Sequence, residues 1–355
     1  MLWSLSSLLP LSRSAPRDNI AYPLTRRFYH HGMVFGTEAF VSMADVSVIA
    51  VTRNTRDLTC TAIQSVIDHS TGLKVETFVV DNGSTDGTCS LLQERFPGVE
   101  CLRSDRNLGF AKAVNWAAAQ TKGDFLLLLN SDAVLHSQSL QAAIAWMREH
   151  PRCGVAGAQL LNADGSRQNS IANFPTLATE LLNKSLLRRL LPHRYPGKEQ
   201  VFESPVDVET VIGAFMLVRR ELWDSLGGLD ERFFFFVEET DFCFRARRAG
   251  WTAIHLPQVL VTHGGGLSAK QVLPAARVEY WRSRYAYFAK NHGLLTRLVL
   301  RIGLGVRLLV DWIAALFATS LTLRRHERWR NRFEVCSVLI WWHLRGCPGG
   351  TGLPR

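Results

Sequence analysis

From Val46 to Glu149, short apolar runs alternate with segments whose apolar positions recur every three or four residues. Val46–Val51 (VSVIAV), Val75–Val80, Val99–Leu102 and Phe125–Leu129 read as strands buried on both faces. Between them Leu58, Ala62, Ile63, Val66 and Ile67 form one helical stripe, with Asp57 as the expected cap. Leu91, Leu92 and Phe96 mark a second helix, and residues 108–120 and 137–149 a third and a fourth. The order βαβαβαβα predicts an α/β fold, a doubly wound and mostly parallel sheet with right-handed crossovers. Ligands of such sheets sit beyond the carboxyl ends of the strands. The polar clusters TRN, DNGSTDG and NSD all fall there, the last of them ending the apolar run FLLLL.

After Cys153 the rhythm changes to α+β. AQLLNADGSRQNS predicts a hairpin turning at Asp164-Gly165. Val208–Val218 reads as one long strand, and Arg219–Leu226 as a short helix stopped at Gly227-Gly228. Residues 238–249 read as a helix, then WTAIHLP and VLVTH as two strands. Leu294–Leu323 is apolar but carries Arg297, Arg301, Arg307 and Asp311, and its longest uncharged run, Trp312–Leu323, is too short to span a bilayer by itself. Three units follow: residues 1–44 as a non-structural leader broken by Pro10, Pro16 and Pro23, 45–290 as the main domain, and 291–355 as basic amphipathic helices. Met33 or Met43 is the expected natural start.

Charge sharpens this division. The chain of 355 residues carries a formal +10, and residues 291–355 alone contribute +7, with ten Arg and no Lys against three acids. With Trp at its borders, this segment suits an anionic membrane interface. WRNRF mixes aromatic and basic residues, but no nucleic-acid-binding motif accompanies it, so a nucleic-acid partner is not expected. The seven Cys are scattered singly with no CxxC pair, which predicts free thiols in a reducing compartment and no zinc site.

Four places can carry chemistry. Asp81 ends a strand in VVDNGSTDGT, where a carboxylate can accept from a uracil or thymine imide or from ribose hydroxyls; the same loop can equally cap a helix. Asp132, at the mouth of a buried strand, suits Mg²⁺ or Mn²⁺ shared with substrate phosphates, or a cap for the helix near Ser137, while Asn130 can hold the loop or touch a ribose. Glu238-Glu239-Thr240-Asp241 gathers three acids at a helix start, where the dipole favours them; partial burial behind Phe233–Phe236 would raise a carboxyl toward general-base duty. His263 ends a strand before Gly264-Gly265-Gly266 and can complete a metal site beneath a glycine flap. A dinucleotide-binding dehydrogenase is excluded, because TRNTRD after the first strand contains no Gly.

VSVIAVTRN, FVVDNGSTDGT, RNLGFAKAVN, LLLLNSDAVL, GAFMLVRRELWDSLGGLDERFFFFVEETDFCFRARRAGW and VTHGGG together resemble the family 2 glycosyltransferases, in the rhamnosyltransferase-like branch, over about Val46 to Tyr287. The resemblance implies the GT-A fold, a Rossmann-like sheet with an α+β acceptor half, here followed by C-terminal amphipathic helices. It implies an inverting transfer from a nucleotide diphosphate sugar, dTDP-rhamnose or a UDP-sugar, to a saccharide or lipid-linked hydroxyl in cell-surface polysaccharide synthesis. The enzyme would be cytoplasmic and peripheral at the inner face of the cell membrane. By the same resemblance Thr52, Asn54 and Asp81 match nucleotide-contacting positions, as do Arg106, Asn107, Gly109 and Asn115 beside base and ribose. Asp132 matches the last acid of the DxD metal motif, Glu239 the catalytic base, and His263 a late metal ligand. Two departures stand out: Asn-Ser-Asp lacks the first carboxylate of DxD, and Glu238-Glu239 replaces the usual Glu-Asp, which leaves Asp241 as an alternative base. A catalytically silent relative is the other reading of the incomplete DxD.

Overall fold

A computed structural model describes residues 44–196, 200–265, 273–322 and 325–355; the expected leader 1–44, apart from its last residue, lies outside them. Among the described residues nine strands join one sheet in the order β3-β2-β1-β4-β10-β6-β11-β5, with the short β5 (Ala133–Leu135) at one end and β8 beside β11. Its first half is parallel: β1 (Val46–Thr52) lies between β2 (Val75–Asn82) and β4 (Phe125–Asn130), and β3 (Val99–Ser104) flanks β2. Alternation along β4 builds both sides of the core. Phe125, Leu127 and Leu129 pack with Leu140, Ala143, Ile144 and Met147 of helix Ser139–Glu149, whereas Leu126 and Leu128 pack with Ala113, Val114 and Ala117 of helix Phe110–Ala118. Every residue of β4 is therefore buried until Asn130, where the strand emerges at the sheet's edge.

The second half departs from the sequence pattern. Val208–Val218 is not one strand but β8 (Val206–Val208), β9 (Thr210–Val211) and β10 (Phe215–Arg219). Each piece has a different partner: β8 pairs with β11 (Thr252–His263), β9 with β7 (Ile171–Ala172), and β10 with β4 and β6 (Cys153–Leu161). WTAIHLP and VLVTH fuse into β11, with an irregularity between Leu256 and Leu260 where its register with β6 shifts. The first helix, α1 (Arg56–Asp68), has Thr55 at its N-cap and Asp57 in its first turn, and Ile67 is half exposed rather than on the buried stripe. The helix after NSD has Gln138 at its N-cap, so Asp132 does not cap it.

One cysteine expectation is corrected. Cys89 and Cys101 form a disulfide, because helix α2 (Thr88–Arg95) and β3 bring their Cα atoms to 6.0 Å, within bridging range. Cys60, Cys153, Cys243 and Cys336 are buried free thiols.

The described residues past 290 do not stand apart. Leu300 and Leu304 share a core with Phe233, Tyr287 and Phe288, and Leu308 shares another with Val278, Leu339 and Trp342. Residues 294–321 are one helix of 28 residues, long and apolar enough to cross a membrane by length and composition, although its longest uncharged run is not. Only 22% of its most apolar window is buried, and Leu295, Ile302, Val310 and Phe317 are exposed.

Candidate active site

The polar ends of β1, β2 and β4 are stitched together at one edge of the sheet. Thr52 pairs with Asp81, and Val51 with Asn130, across adjacent strands. Thr52 is buried, its hydroxyl held by Thr55 (2.9 Å) and Thr59 (2.7 Å), and Thr55 Oγ1 donates to Ser131 Oγ at 3.2 Å. Asn54 has φ 53° and bridges the TRN and DNGSTDG loops: its N–H donates to Ser84 Oγ (3.0 Å) and its Oδ1 accepts from Thr85 N–H (2.8 Å). Asp81 is buried, and its Oδ1 accepts from Ser84 N–H at 2.8 Å, fixing the start of that turn. Asp86, near its end, accepts from the N–H of Thr88, the first residue of α2, whose N-cap is Gly87, so the loop both shapes the crevice and satisfies a free N–H at a helix start.

The metal candidates meet as a pair. Asp132 Oδ1 lies 3.4 Å from His263 Nε2, with both side chains largely buried. His263 Nδ1 faces Gln168 Oε1 at 3.0 Å; an amide oxygen only accepts, so Nδ1 carries the proton and Nε2 presents its lone pair. Asn130 Nδ2 donates to Nε2 at 3.3 Å, consistent with that tautomer. An imidazole oriented in this way beside a carboxylate fits a hard divalent cation completed by diphosphate and water. No group of three or more His, Cys, Asp or Glu gathers for a metal among the described residues, so protein ligands beyond this pair are not supplied by those residue types. Gln168, which also donates to the His263 carbonyl at 2.6 Å, escaped sequence reading: it sits on a hairpin arm 95 residues away. Gly264 N–H donates to the Asp132 carbonyl at 2.9 Å, while Gly266, the last residue of the expected flap, lies outside the described residues.

Glu239 joins the same edge through β10. Asn130 N–H donates to the Ala214 carbonyl at 3.1 Å, and a Cβ on the adjacent Gly213 would sit 3.8 Å from Glu239 Cβ and Cγ. Just before this helix, α8 (Glu238–Arg248), Phe236 and Val237 have φ of 69° and 73°. A β-branched residue in the left-handed region is strained, and such strain concentrates at functional sites. Burial raises both carboxyls of the pair; Glu238 is pushed well above the usual carboxylate range, with the Glu239 charge adding to it. Glu238 Oε2 is buried with no hydrogen-bond partner among the described residues. A group whose pKa rises on folding favours the fold below its unfolded value, and that contribution is lost as pH climbs through the folded value. Glu238→Gln is therefore expected to raise Tm by a few degrees at about pH 8, at about 2–4 °C per kcal/mol, and hardly at all at about pH 4. Melts at both pH values check it; equal shifts would refute a charge-desolvation cause.

Other expected site residues have structural partners. Asp241 is fully buried, ion-paired to Arg245 (2.8 Å) and to Lys290 (2.7 Å), so the alternative base is closed inside a salt-bridge cluster. Gly109 has φ 83°, and any Cβ there would come within 2.6 Å of the Phe234 ring, so this glycine seats the 233–236 segment. Asn107 accepts from Asn82 Nδ2 (2.8 Å) and donates to the Pro354 carbonyl (2.8 Å), and Arg355 lies over the Phe234 ring at 4.6 Å. Arg106 is exposed. Asn115 accepts from Leu229 N–H (2.9 Å) and donates to its carbonyl (2.8 Å), pinning the turn after Gly228. Asn115→Ala is expected to cost about 1–3 kcal/mol in urea unfolding. Nucleotide diphosphate affinity should change less than about threefold; a large affinity loss at unchanged stability would restore the nucleotide contact.

Residues 47–227 match the family model Glycosyl transferase family 2. The chain belongs to that family. This glycosyltransferase is similar to the N-acetylglucosaminyl-diphospho-decaprenol L-rhamnosyltransferase of Mycobacterium tuberculosis, at 29% identity over 243 residues, covering 64% of this chain and 78% of the relative. It is also similar to rhamnosyltransferase WbbL of Escherichia coli, at 26% identity over 198 residues, 53% of this chain and 73% of that one. The likeness is thus to the rhamnosyltransferase-like branch. Among solved structures, the mannosyltransferase PcManGT from Pyrobaculum calidifontis, in complex with GDP-Man and Mn²⁺, shares the fold with a TM-score of 0.52 at 18% identity, covering 86% of this chain and 87% of its own. The glycosyltransferase fold is GT-A, with its C-terminal helices packed against it.

Proposed function

We propose that this glycosyltransferase moves a sugar from a nucleotide diphosphate sugar, dTDP-rhamnose or a UDP-sugar, to a hydroxyl of a lipid-linked saccharide during cell-surface polysaccharide synthesis. The observation that carries the reading is the contiguity of one sheet edge: the Asn54 and Asp81 loops interlock, Thr55 reaches Ser131, Asn130 meets His263, Asp132 lies beside that ring, and Glu239 stands next to Gly213. The Asn54 and Asp81 loops form the nucleotide side, and exposed Arg106 is free to reach it. Asp132 and His263 would hold Mg²⁺ or Mn²⁺ against the diphosphate. When bound, the cation offsets charge gathering on the leaving group. Glu239 takes the proton of the acceptor hydroxyl as its oxygen attacks the anomeric carbon from the face opposite the departing diphosphate, giving inversion. Asp241, already neutralised by Arg245 and Lys290, holds α8 in place.

The acceptor chemistry is supported by the mycobacterial relative, whose name specifies a diphospho-decaprenol-linked sugar. The exposed apolar face of helix 294–321 and the basic residues around it suit a peripheral position at the inner membrane surface. A thermal-shift screen of nucleotide diphosphate sugars with and without Mn²⁺ tests the function. A matching donor at about a hundred times its Kd should add about 2.7 kcal/mol of stability. Absence of any donor shift, together with no donor hydrolysis, would leave the silent reading standing.

A further inference from the structure

Away from the nucleotide side, a cavity of about 360 Å³ opens between the helix-rich segment 177–190, helix α9 (Leu273–Asn291), helix α10 (Leu294–Leu321) and helix α11 (Glu327–Leu344). Five cations line it: Lys184, Arg277, Arg284, Arg307 and Arg332. Among the described lining residues Glu180 and Asp311 oppose them, paired with Arg284 (2.6 Å) and Arg332 (2.7 Å). Among the described residues Lys184, Arg277 and Arg307 have no carboxylate partner, which leaves three positive charges on this concave surface.

Arg284 is built in rather than draped over. It is 7% exposed, stacked against the Tyr280 and Trp281 rings at 5.2 Å each, and its Nε has no hydrogen-bond partner among the described residues. A buried guanidinium N–H left unmatched is costly unless something outside the chain accepts from it. Arg307, also on the cavity wall, is satisfied only in part, donating to the Glu180 carbonyl at 3.3 Å.

The cavity's position adds to its charge. Tyr280 lines it and meets the Phe236 ring edge-on at 5.6 Å; Phe236 stands three residues before Glu239. On the other side Leu304, Leu308 and Arg307 belong to α10, whose outer face exposes Ile302, Val306, Leu309 and Val310. An amphiphile could lay its chain on that apolar face, its phosphates among the arginines, and its head group toward Glu239.

We infer that this cavity is the binding site for the diphosphate of a polyprenyl-diphosphate-linked acceptor. The inference rests on the lipid-linked reading of the function and assigns that acceptor's phosphates to residues outside the nucleotide side. Three spare charges match the roughly two to three negative charges of a diphosphate diester or monoester, and arginine forks bind phosphate oxygens in pairs. A single-phosphate phospholipid head group shares this chemistry in weaker form.

The test uses the full chain and phosphatidylcholine vesicles doped either with a polyprenyl diphosphate or with phosphatidylglycerol at equal surface charge, read by flotation. The wild-type chain is expected to bind the diphosphate vesicles at least about tenfold more tightly. Lys184→Glu and Arg277→Glu, both at exposed positions, should each erase most of that preference, with Lys184→Ala and Arg277→Ala doing so to a smaller extent. The nucleotide-diphosphate thermal shift, measured alongside, should persist in all four and shows that they are folded. Equal binding to both vesicle types would overturn the proposal in favour of a general head-group site. A preference surviving in both charge-reversal variants would overturn it by putting the diphosphate elsewhere. Failure of the wild-type donor shift with the vesicle preference intact would instead strike the catalytic reading, leaving the lipid site standing.

Discussion

Glu239→Gln is expected to lower kcat by at least roughly a hundredfold while the donor KM stays within a few-fold, the pattern of a group that acts only in the transition state. Three features single out Glu239 within its acidic cluster. Asp241 is consumed by Arg245 and Lys290. Glu238 is turned into the protein, its Oε2 buried with no partner among the described residues, and burial together with the Glu239 charge pushes its carboxyl well above the usual range. Glu239 is half-buried beside Gly213, where a glycine leaves room at the crevice edge, and its own carboxyl is raised by burial. A raised carboxyl is a stronger base once ionised, at the cost of needing a higher pH to ionise. Turnover of the wild-type chain should therefore rise with pH along a limb above the ordinary carboxylate range, and that limb should vanish in Glu239→Gln. Glu238→Gln, which removes a buried carboxyl facing the protein interior, should retain most of the turnover. Steady-state kinetics across pH on the three proteins decide the matter: near-normal kcat in Glu239→Gln, or a collapse confined to Glu238→Gln, would move the base.

The parallel half of the fold was legible because its signals are local. Five apolar residues ended by Asn130, too few for a helix and set among other short apolar runs, read as a strand that stays dry until its last residue, and β4 is buried in that way. The loops after β1, β2 and β4 fell at one edge for the same reason: parallel strands all emit their loops at the same end. The α+β half was less legible because partners, not periodicity, decide it. VETVIGAFMLV has the composition of one strand, yet its pieces pair with β11, β7 and β4 plus β6, and the bend before Phe215 lets the Ala214 carbonyl receive Asn130 N–H. The Cys89–Cys101 bridge likewise depends on how α2 folds against β3, which single scattered cysteines do not announce.

At the site, residue types and positions were readable but their engagements were not. Asp241 reads like its acidic neighbours until Lys290, 49 residues on, arrives from α9. Asn115 and Gly109 carry the family pattern, yet in the fold they brace Leu229 and Phe234. The helix at 294–321 shows the converse. Its charges argued against a continuous apolar element, and the structure accommodates them by placing Arg307 and Asp311 on the wall of a cavity.

Asp132→Ala is expected to cut turnover by at least roughly a hundredfold and to remove the Mn²⁺-dependent part of the donor's thermal shift. The size follows from how few ligands share the load. With Asn130 in place of a first acid, Asp132 is the one carboxylate of the NSD segment, and its partner His263 is held by Gln168 through Nδ1. Loss of Asp132 would leave the cation with an imidazole and the substrate's own oxygens, too little to fix it against the leaving diphosphate. The fold should tolerate the change, since the backbone carbonyl that receives Gly264 N–H is untouched. Gln168→Ala, which loses only the group that orients the ring, should weaken Mn²⁺ by about 10–100-fold at most, and His263→Ala more. The ranking Asp132, His263, Gln168 in Mn²⁺ titrations of donor hydrolysis is the diagnostic result. Activity of Asp132→Ala close to wild type, or wild-type activity indifferent to a chelator, would mean that diphosphate departure is assisted by the chain's own cations instead, and Arg106, exposed beside the nucleotide loops, would be the first to replace.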